Sequence, residues 1–450
     1  MDSSSVWSFD LAGGADTIVA VATPPGHGAL ALLRLSGADT SRIAAELCPG
    51  LDIAESWRAQ LTVVRCGDGL PQERAVAIVY RGPRSYTGED MLELTVHGSP
   101  ALVQGVMHEC VELGCRPAQP GEFTRRAVAN GKMDVTQAEG IADLIAAETA
   151  WQLRVAQAQV RGVLSARVAE TRRVLVGLLA RIEGELDLAA QGVGAPPGEL
   201  AAELATAVRG LQWLLATARA GERIRDGVRV VILGPPNSGK STLFNRLLRC
   251  ERAIVSVHPG TTRDVLEAEV EIGGVRVVLA DTAGLRESSD LVEQEGIRRA
   301  EAAAAAADVI VFLRDARTVA GPGPRGWEPD GRPWIGVLSK TDLVNGPVSG
   351  DQRWVAVSLT TGAGWEDLES RLQALVIGEL GETDGVVAVS RRHAAGLRAA
   401  LNELGAIRLA ETEVAAEAVR AAIGHLGEVI GDVTSEEVLD AVFARFCVGK

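Results

Sequence analysis

Eight residues, GPPNSGKS at 234–241, constrain this chain more than any other stretch. They fit GxxxxGK[ST], follow the β-branched run 228–233 and precede the helical run 242–248, the strand–loop–helix setting such a loop requires. Glycines let backbone N–H groups close around phosphate oxygens, and the helix N-terminus adds positive potential. Lys240 then reaches the β- and γ-phosphate oxygens, and the Ser241 hydroxyl ligates Mg²⁺. Gly234, Asn237, Ser238 and Gly239 complete the loop, and Thr242, which opens the helical run, joins them in binding the nucleotide. The competing reading is a chance glycine turn, and the downstream motifs count against it.

DTAG at 281–284 ends the strand run 275–280. It places Asp281 near the Mg²⁺ and the Gly284 N–H beside the γ-phosphate, with Thr282 and Ala283 in the same turn. GTTRD at 260–264 reads as a switch I loop whose Thr262 hydroxyl completes the Mg²⁺ shell. KTD at 340–342 follows the strand run 335–338. A carboxylate at Asp342, beside Lys340, accepts both N–H donors of guanine's edge, which adenine does not present. GTP is therefore expected over ATP. Ser358 and Leu359 follow the last strand, where a backbone N–H binds the guanine carbonyl. Ser339 stands where [NT]KxD begins; it is too short for an asparagine's amide contacts, so lower affinity is expected with selectivity kept through Asp342. Leu285 occupies the place of the water-orienting glutamine of many GTPases, so that role must come from elsewhere.

Around these motifs, short strands at 228–233, 265–272, 275–280, 309–313, 335–338 and 354–357 alternate with helical stretches. This predicts a mainly parallel, doubly wound α/β sheet, a Ras-like P-loop G domain over 221–379. Before it, 14–132 alternates β-type runs (18–22, 29–35, 75–79, 91–96) with short helical ones, the pattern of an α+β domain. Residues 133–220 and 380–450 are rich in alanine and leucine at helical spacing, as at Leu175, Leu178, Leu179 and Ile182. The fold expected is multidomain: an α+β N-terminal domain and a discontinuous helical domain into which the G domain is inserted. A chain of 450 residues suits such a division.

Composition excludes some functions. A formal net charge of −14 disfavours a broad phosphate-binding surface, so RNA contact needs a local basic patch or a basic partner. Six scattered cysteines (48, 66, 110, 115, 250, 447) with no CxxC pair point to reduced thiols, with no disulfide framework or structural zinc. MDSSSVWSFD lacks the basic and apolar regions of a signal peptide, and no apolar run reaches the roughly 18 residues of a membrane span. A cytoplasmic protein without a membrane span is expected.

Further motifs lie near the two ends. They are DTI at 16–18 with ATPPG at 22–26, SYTGED at 85–90, PGEFT at 120–124, NGK at 130–132, QAE at 137–139 and the terminal FCVGK at 446–450. Together with the nucleotide motifs they resemble the MnmE (TrmE) family of tRNA uridine 5-carboxymethylaminomethyl modification GTPases over nearly the whole chain. The G motifs are shared with other GTPases, so the end motifs carry the resemblance.

The resemblance implies an N-terminal domain that dimerises and binds 5-formyl-tetrahydrofolate or a related one-carbon folate through Arg34, Glu93, Lys132 and Lys450. Glu93 suits pterin N–H donors, and the three cations suit carboxylates. Taken singly, each is better read as a solvated surface charge. It also implies K⁺-activated hydrolysis with G-domain dimerisation. Asn237, Ser256, His258 and Thr261 would hold K⁺, and Glu293 would orient the attacking water. Without the resemblance Glu293 is a solvated helix charge. Cys447, near Arg445 and Lys450, is implied to matter beside the folate, its chemistry left open. His27 departs from the family's PPGRG. The implied assembly is a homodimer with an MnmG-type flavoprotein, a heterotetramer acting on C5 of the wobble uridine of certain tRNAs. The alternative is a regulatory switch GTPase of ribosome assembly, which shares GTTRD and DTAG but needs neither the folate motifs nor FCVGK.

Overall fold

The computed structural model describes residues 16–450 except 68, 70, 190–196, 251, 254–265, 282–304, 319–330, 345–352, 381–388, 406, 408–410, 433–435 and 445. The chain forms two compact units, Met1–Ala142 with Gly427–Lys450, and Asp143–Leu426. Among the described residues no helix is long and apolar enough to cross a membrane.

The first unit is built on a six-stranded sheet: β1 (Thr17–Val21), β2 (Leu30–Ser36), β3 (Ala59–Val64), β4 (Glu73–Tyr80), β5 (Met91–His97) and β6 (Cys115–Pro117). Their order is β3-β4-β5-β2-β1-β6, antiparallel except for the β1–β6 pair. β4, ERAVAIVY, shows why it is a strand: Ala75, Ala77 and Val79 are buried while Arg74 and Val76 are exposed, the period-two signature of a sheet with one covered face. The covered face closes over Ile43 and Leu47 of the helix Thr40–Leu47 and Val106 of the helix Pro100–Glu112, with Cys48, Cys66, Cys110 and Cys115 in the same core. Sequence patterning identifies the four inner strands. The two it does not identify, β3 and β6, are the edges, where a strand buries little and its alternation is faint.

The C-terminal segment belongs to this unit. The helix Glu436–Phe443 packs on the helix Glu122–Ala129. Phe443 and Phe446 join Val135, Ala138 and Val442 in one cluster. Beyond them the tail pairs with the N-terminal chain, Val448 opposite Pro120 in an antiparallel bridge, and the Gly121 N–H donating to Cys447 O at 3.4 Å. Gly449 has φ +96°, and a Cβ there would lie 2.5 Å from Val21 O, so only glycine fits against β1.

The second unit holds a seven-stranded sheet: β7 (Val228–Leu233), β8 (Arg252–Ala253), β9 (Leu266–Ile272), β10 (Val275–Asp281), β11 (Val309–Asp315), β12 (Trp334–Ser339) and β13 (Trp354–Ala356). The order is β13-β12-β11-β7-β10-β9-β8, parallel from β13 to β10 and antiparallel beyond. β7 and β11 are buried at nearly every position, as strands covered on both faces must be. On one face Val230, Ile232, Val311 and Val337 meet Leu243 and Leu247 of the helix Lys240–Cys250 and Leu368 and Leu372 of the helix Trp365–Gly378. Val231, Ile310 and Phe312 line the other. The mainly parallel sheet expected from the strand–helix alternation is present.

Helices on both sides of this sheet in sequence form one layer. The helix Arg391–Gly405 packs along Pro197–Asp226, with Arg391 at 3.5 Å from Glu222 and 3.7 Å from Asp226. Val155, Ala220 and Ile224 of the preceding helices close over the sheet's own core. The helical part is therefore discontinuous, with the α/β sheet inserted in it.

A charged cluster fastens the β1–β6 edge of the first unit's sheet to the helix Glu122–Ala129. Glu122 is 3% exposed and accepts from Arg116 at 2.6 Å, from Arg126 at 3.1 Å and from the Gln119 N–H at 2.8 Å. Asp16 accepts from the same two arginines, at 2.9 and 2.8 Å. Burial opposes ionisation of Glu122, but the Arg116 and Gln119 hydrogen bonds and the Arg126 charge outweigh it and hold the carboxyl below its ordinary value. A depressed carboxyl contributes stability above its unfolded value, near 4.3, that is lost as pH falls through the folded one. The protection factors of amides in the helix Glu122–Ala129, taken against intrinsic exchange at each pH, should therefore fall at acid pH in the wild type. Glu122→Gln should lose about 3 kcal/mol of protection at pH 7 and show a flatter acid response. Equal protection in the two proteins would contradict the cluster's role.

Candidate functional site

β7 sits where the strand order reverses: the chain leaves it for β9 and β10 on one side and returns to β11 on the other. Ligands of such sheets lie at the carboxyl ends of the strands flanking this point. There the backbone leaves β7 through Gly234, φ +151°, where a Cβ would collide with Leu313 O. Asn237 (φ +60°) and Gly239 (φ +99°) turn the loop into the helix Lys240–Cys250. Asparagine tolerates this left-handed backbone better than most residues. Lys240 Nζ donates to the carbonyls of Gly234 at 2.8 Å and Pro235 at 2.9 Å, which holds the ammonium against the loop. Ser241 and Thr242 are exposed in the helix's first turn, and Ser238 is buried. Oxygen donors, an ammonium and the positive helix end thus meet in one crevice, the chemistry a polyphosphate with its metal needs.

The parallel register β7–β11–β12 brings a second set of residues to the same edge. Ser339, fully buried at the end of β12, donates from Oγ to Ser238 O at 2.6 Å and lies 3.2 Å from Arg314 O. The short serine therefore serves the phosphate loop directly. Lys340, at φ +58°, donates to Asn237 O at 2.6 Å and to Asp315 Oδ2 at 2.9 Å. Asp315 also accepts from the Arg317 side chain and N–H, and these bonds, with Lys340, hold its carboxyl far below the usual carboxylate range.

Asp342 Oδ1 accepts from Ser358 Oγ at 2.6 Å, and this hydroxyl holds the carboxyl below its ordinary value. The Ser358 N–H is already committed to Ala363 O at 2.9 Å, so Ser358 contributes its hydroxyl, aiming Asp342, rather than its amide. Arg246 anchors this loop to the helix Lys240–Cys250: it donates to Leu359 O at 2.6 Å and stacks over Trp365, 4.6 Å to the centroid.

The Asp281 backbone ends β10 opposite Ile232 of β7, one strand from the phosphate loop. Ser256, His258, Thr261, Thr262, Thr282, Ala283, Gly284, Leu285 and Glu293 lie outside the described residues.

A second polar group stands on the first unit's sheet. Arg34 and Glu93 are direct cross-strand partners in β2 and β5. Arg34 Nε and Nη2 donate to Glu93 Oε1 at 3.0 and 2.7 Å, and Nη1 lies 3.4 Å from Gly449 O of the tail. The Tyr80 hydroxyl donates to Glu93 Oε2 at 3.0 Å. Burial and the Glu93 charge push that phenol up to about 12, so it stays a donor. Arg34 also lies over the Tyr86 ring, 5.3 Å to the centroid. Burial and the Arg34 charge push the Lys450 ammonium down. Lys132 is exposed and donates to Pro83 O at 2.7 Å. Cys447 and His27 are exposed.

Of Arg34, Glu93, Lys132 and Lys450, expected to act together, Arg34 and Glu93 meet with Lys450 of the tail beside them, while Lys132 is held on Pro83 O. No motif announces Tyr80, Asp315 or Arg246: their roles arise from register and loop contacts.

The Ser339 hydroxyl generates a prediction. Ser339→Ala strips a donor from two buried carbonyls, a cost of about 1–3 kcal/mol. GTP release, followed with a fluorescent analogue, should quicken about tenfold while Asp342-dependent base selectivity persists. Unchanged release would show that the bond does not support the loop.

Residues 17–132 match the sequence model described as the GTP-binding protein TrmE N-terminus, and 135–447 match that of the MnmE helical domain. The chain is 41% identical over 445 residues to the tRNA modification GTPase MnmE of Hyphomonas neptunium, covering 97% of this chain and 99% of that protein. It is 42% identical over 448 residues to the protein of the same name from Methylobacterium radiotolerans, with 97% and 99% covered. The Xanthomonas campestris pv. campestris protein of that name is 39% identical over 446 residues, with 96% and 99% covered. Matches that run through both units and through the full length of such relatives settle the kinship: the chain belongs to the MnmE (TrmE) family.

Proposed function

We propose that this chain binds and hydrolyses GTP and couples that cycle to the modification of tRNA. One observation carries the reading. Asp342, aimed by Ser358, and Lys240, held on the phosphate loop, stand at one strand edge, joined through Ser339 and Lys340. A base reader and a phosphate holder so linked fit a guanine nucleotide.

In the proposed mechanism Lys240 neutralises charge on the β- and γ-phosphate oxygens as water attacks the γ-phosphorus. Ser241 and Thr262 would hold Mg²⁺, with Asp281 close by. Asn237, Ser256, His258 and Thr261 would hold K⁺, which supplies the positive charge that an arginine finger supplies elsewhere. Glu293 would orient the water. K⁺-dependent pairing of G domains in a homodimer would drive the cycle.

The modification reading adds a one-carbon folate on the first unit and a flavoprotein partner of the MnmG type, with C5 of a wobble uridine as the target in the cytoplasm. Two observations support it over a bare assembly switch. The Arg34–Glu93–Tyr80 group offers a half-buried carboxylate and a guanidinium within one sheet face, a set that suits a pterin with its acidic tail. The FCVGK tail, which a switch does not need, docks beside that group.

Nucleotide turnover tests the reading. In KCl the wild type should hydrolyse GTP, leave ATP untouched and run faster than in NaCl at equal ionic strength. Asp342→Asn should lose GTP by at least a hundredfold and gain xanthosine triphosphate. Equal rates with ATP and GTP would overturn it.

A further inference from the structure

A protein of net charge −14 needs a local basic surface to hold RNA, and the helical layer of the second unit carries one. Residues 149–169 contain Arg154, Arg161 and Arg167 and no aspartate or glutamate. Residues 204–221 contain Arg209 and Arg219 and again no acid. All five arginines are exposed. Among the described residues none of the five is ion-paired, whereas Arg173, Arg181, Arg223, Arg225 and Arg420 of the same unit each meet a carboxylate.

The geometry gathers three of the five, Arg167, Arg209 and Arg219, about Trp213. The helices Val163–Ala189 and Pro197–Asp226 pack together, and Arg167 stacks across them on Trp213, 5.3 Å to the ring centroid. Trp213 is 42% exposed. Arg209, Trp213, Ala216 and Arg219 share one exposed face of their helix, about 120° wide at 100° per residue. Exposed arginines without counter-charges repel one another, a cost that a polyanion removes on binding by taking the place of released counterions. An exposed indole among them offers a plane on which an unpaired base stacks. An acidic protein surface would satisfy the arginines but has less use for that plane.

We propose that this face of the helical layer is an RNA-docking surface, with the arginines on phosphates and Trp213 under an unpaired base. The inference rests on the tRNA reading above and gives it a location.

The test titrates the full-length chain with an unmodified tRNA transcript by fluorescence anisotropy, from about 50 to about 200 mM KCl. Four variants are compared with the wild type. The first, Arg161→Ala/Arg167→Ala/Arg209→Ala, should bind at least tenfold more weakly and lose about two units of salt slope. The same three positions changed to lysine should keep the slope. Trp213→Ala should weaken binding about tenfold with the slope intact, because stacking releases no counterions. A control that removes three exposed, ion-paired arginines, Arg58→Ala/Arg371→Ala/Arg420→Ala, should bind as the wild type does. GTP hydrolysis should persist in all four.

Wild-type affinity and slope in the alanine triple variant would overturn the proposal and leave the tRNA reading standing. A wild type that hydrolyses GTP but binds no tRNA would overturn the tRNA reading itself. Retained tRNA binding with loss of co-elution of a flavoprotein partner would make the face a protein interface and the proposal wrong.

Discussion

The nucleotide crevice depends on the parallel register of β7, β11 and β12. That register sets Ser339 Oγ 2.6 Å from Ser238 O and Lys340 Nζ 2.6 Å from Asn237 O. Two short bonds thereby fasten the base-reading segment to the phosphate loop across about a hundred residues of sequence. Slip the strands by one residue and the side chains exchange faces, so neither bond forms. The continuous apolar character of β7 and β11 protects this register. Their side chains are buried on both faces, and each Val, Ile or Leu removed from water contributes about 1.5–3 kcal/mol.

The first unit uses a cross-strand pair in the same way. Arg34 and Glu93 face each other in β2 and β5, and the tail closes over them through Gly449. The tail thus stands beside a polar group, Arg34, Tyr80 and Glu93, drawn from the chain's first hundred residues. Val448 opposite Pro120 and Phe446 in the cluster with Val135 fix the tail's path. Glycine at 449 is a steric requirement, since any side chain would press on Val21 O.

How much of this was legible in the sequence follows from where each feature resides. The phosphate loop and the inner strands are local: glycine spacing and apolar runs reveal them directly. Edge strands β3 and β6 escaped because they bury few side chains. The work of Ser339 escaped because a motif gives a residue's place but not its partner; shortness read as a defect is what fits the 2.6 Å bond to Ser238 O. Tyr80 and Asp315 became visible only through register, Tyr80 beside Glu93 and Asp315 beside Lys340. The arginine face needs both sequence and structure, since the absence of acids is legible and the Arg167–Trp213 contact is not.

The central claim is that one chain joins a GTP site to a tRNA-modifying site that its own tail completes. Its most direct test is nucleoside analysis of tRNA from a strain lacking this gene, complemented with the full chain or with a chain ending at Phe446. The account predicts that both chains hydrolyse GTP and that only the full chain restores the 5-substituted wobble uridine. Normal modification with the truncated chain, or no change in tRNA nucleosides when the gene is absent, would contradict it.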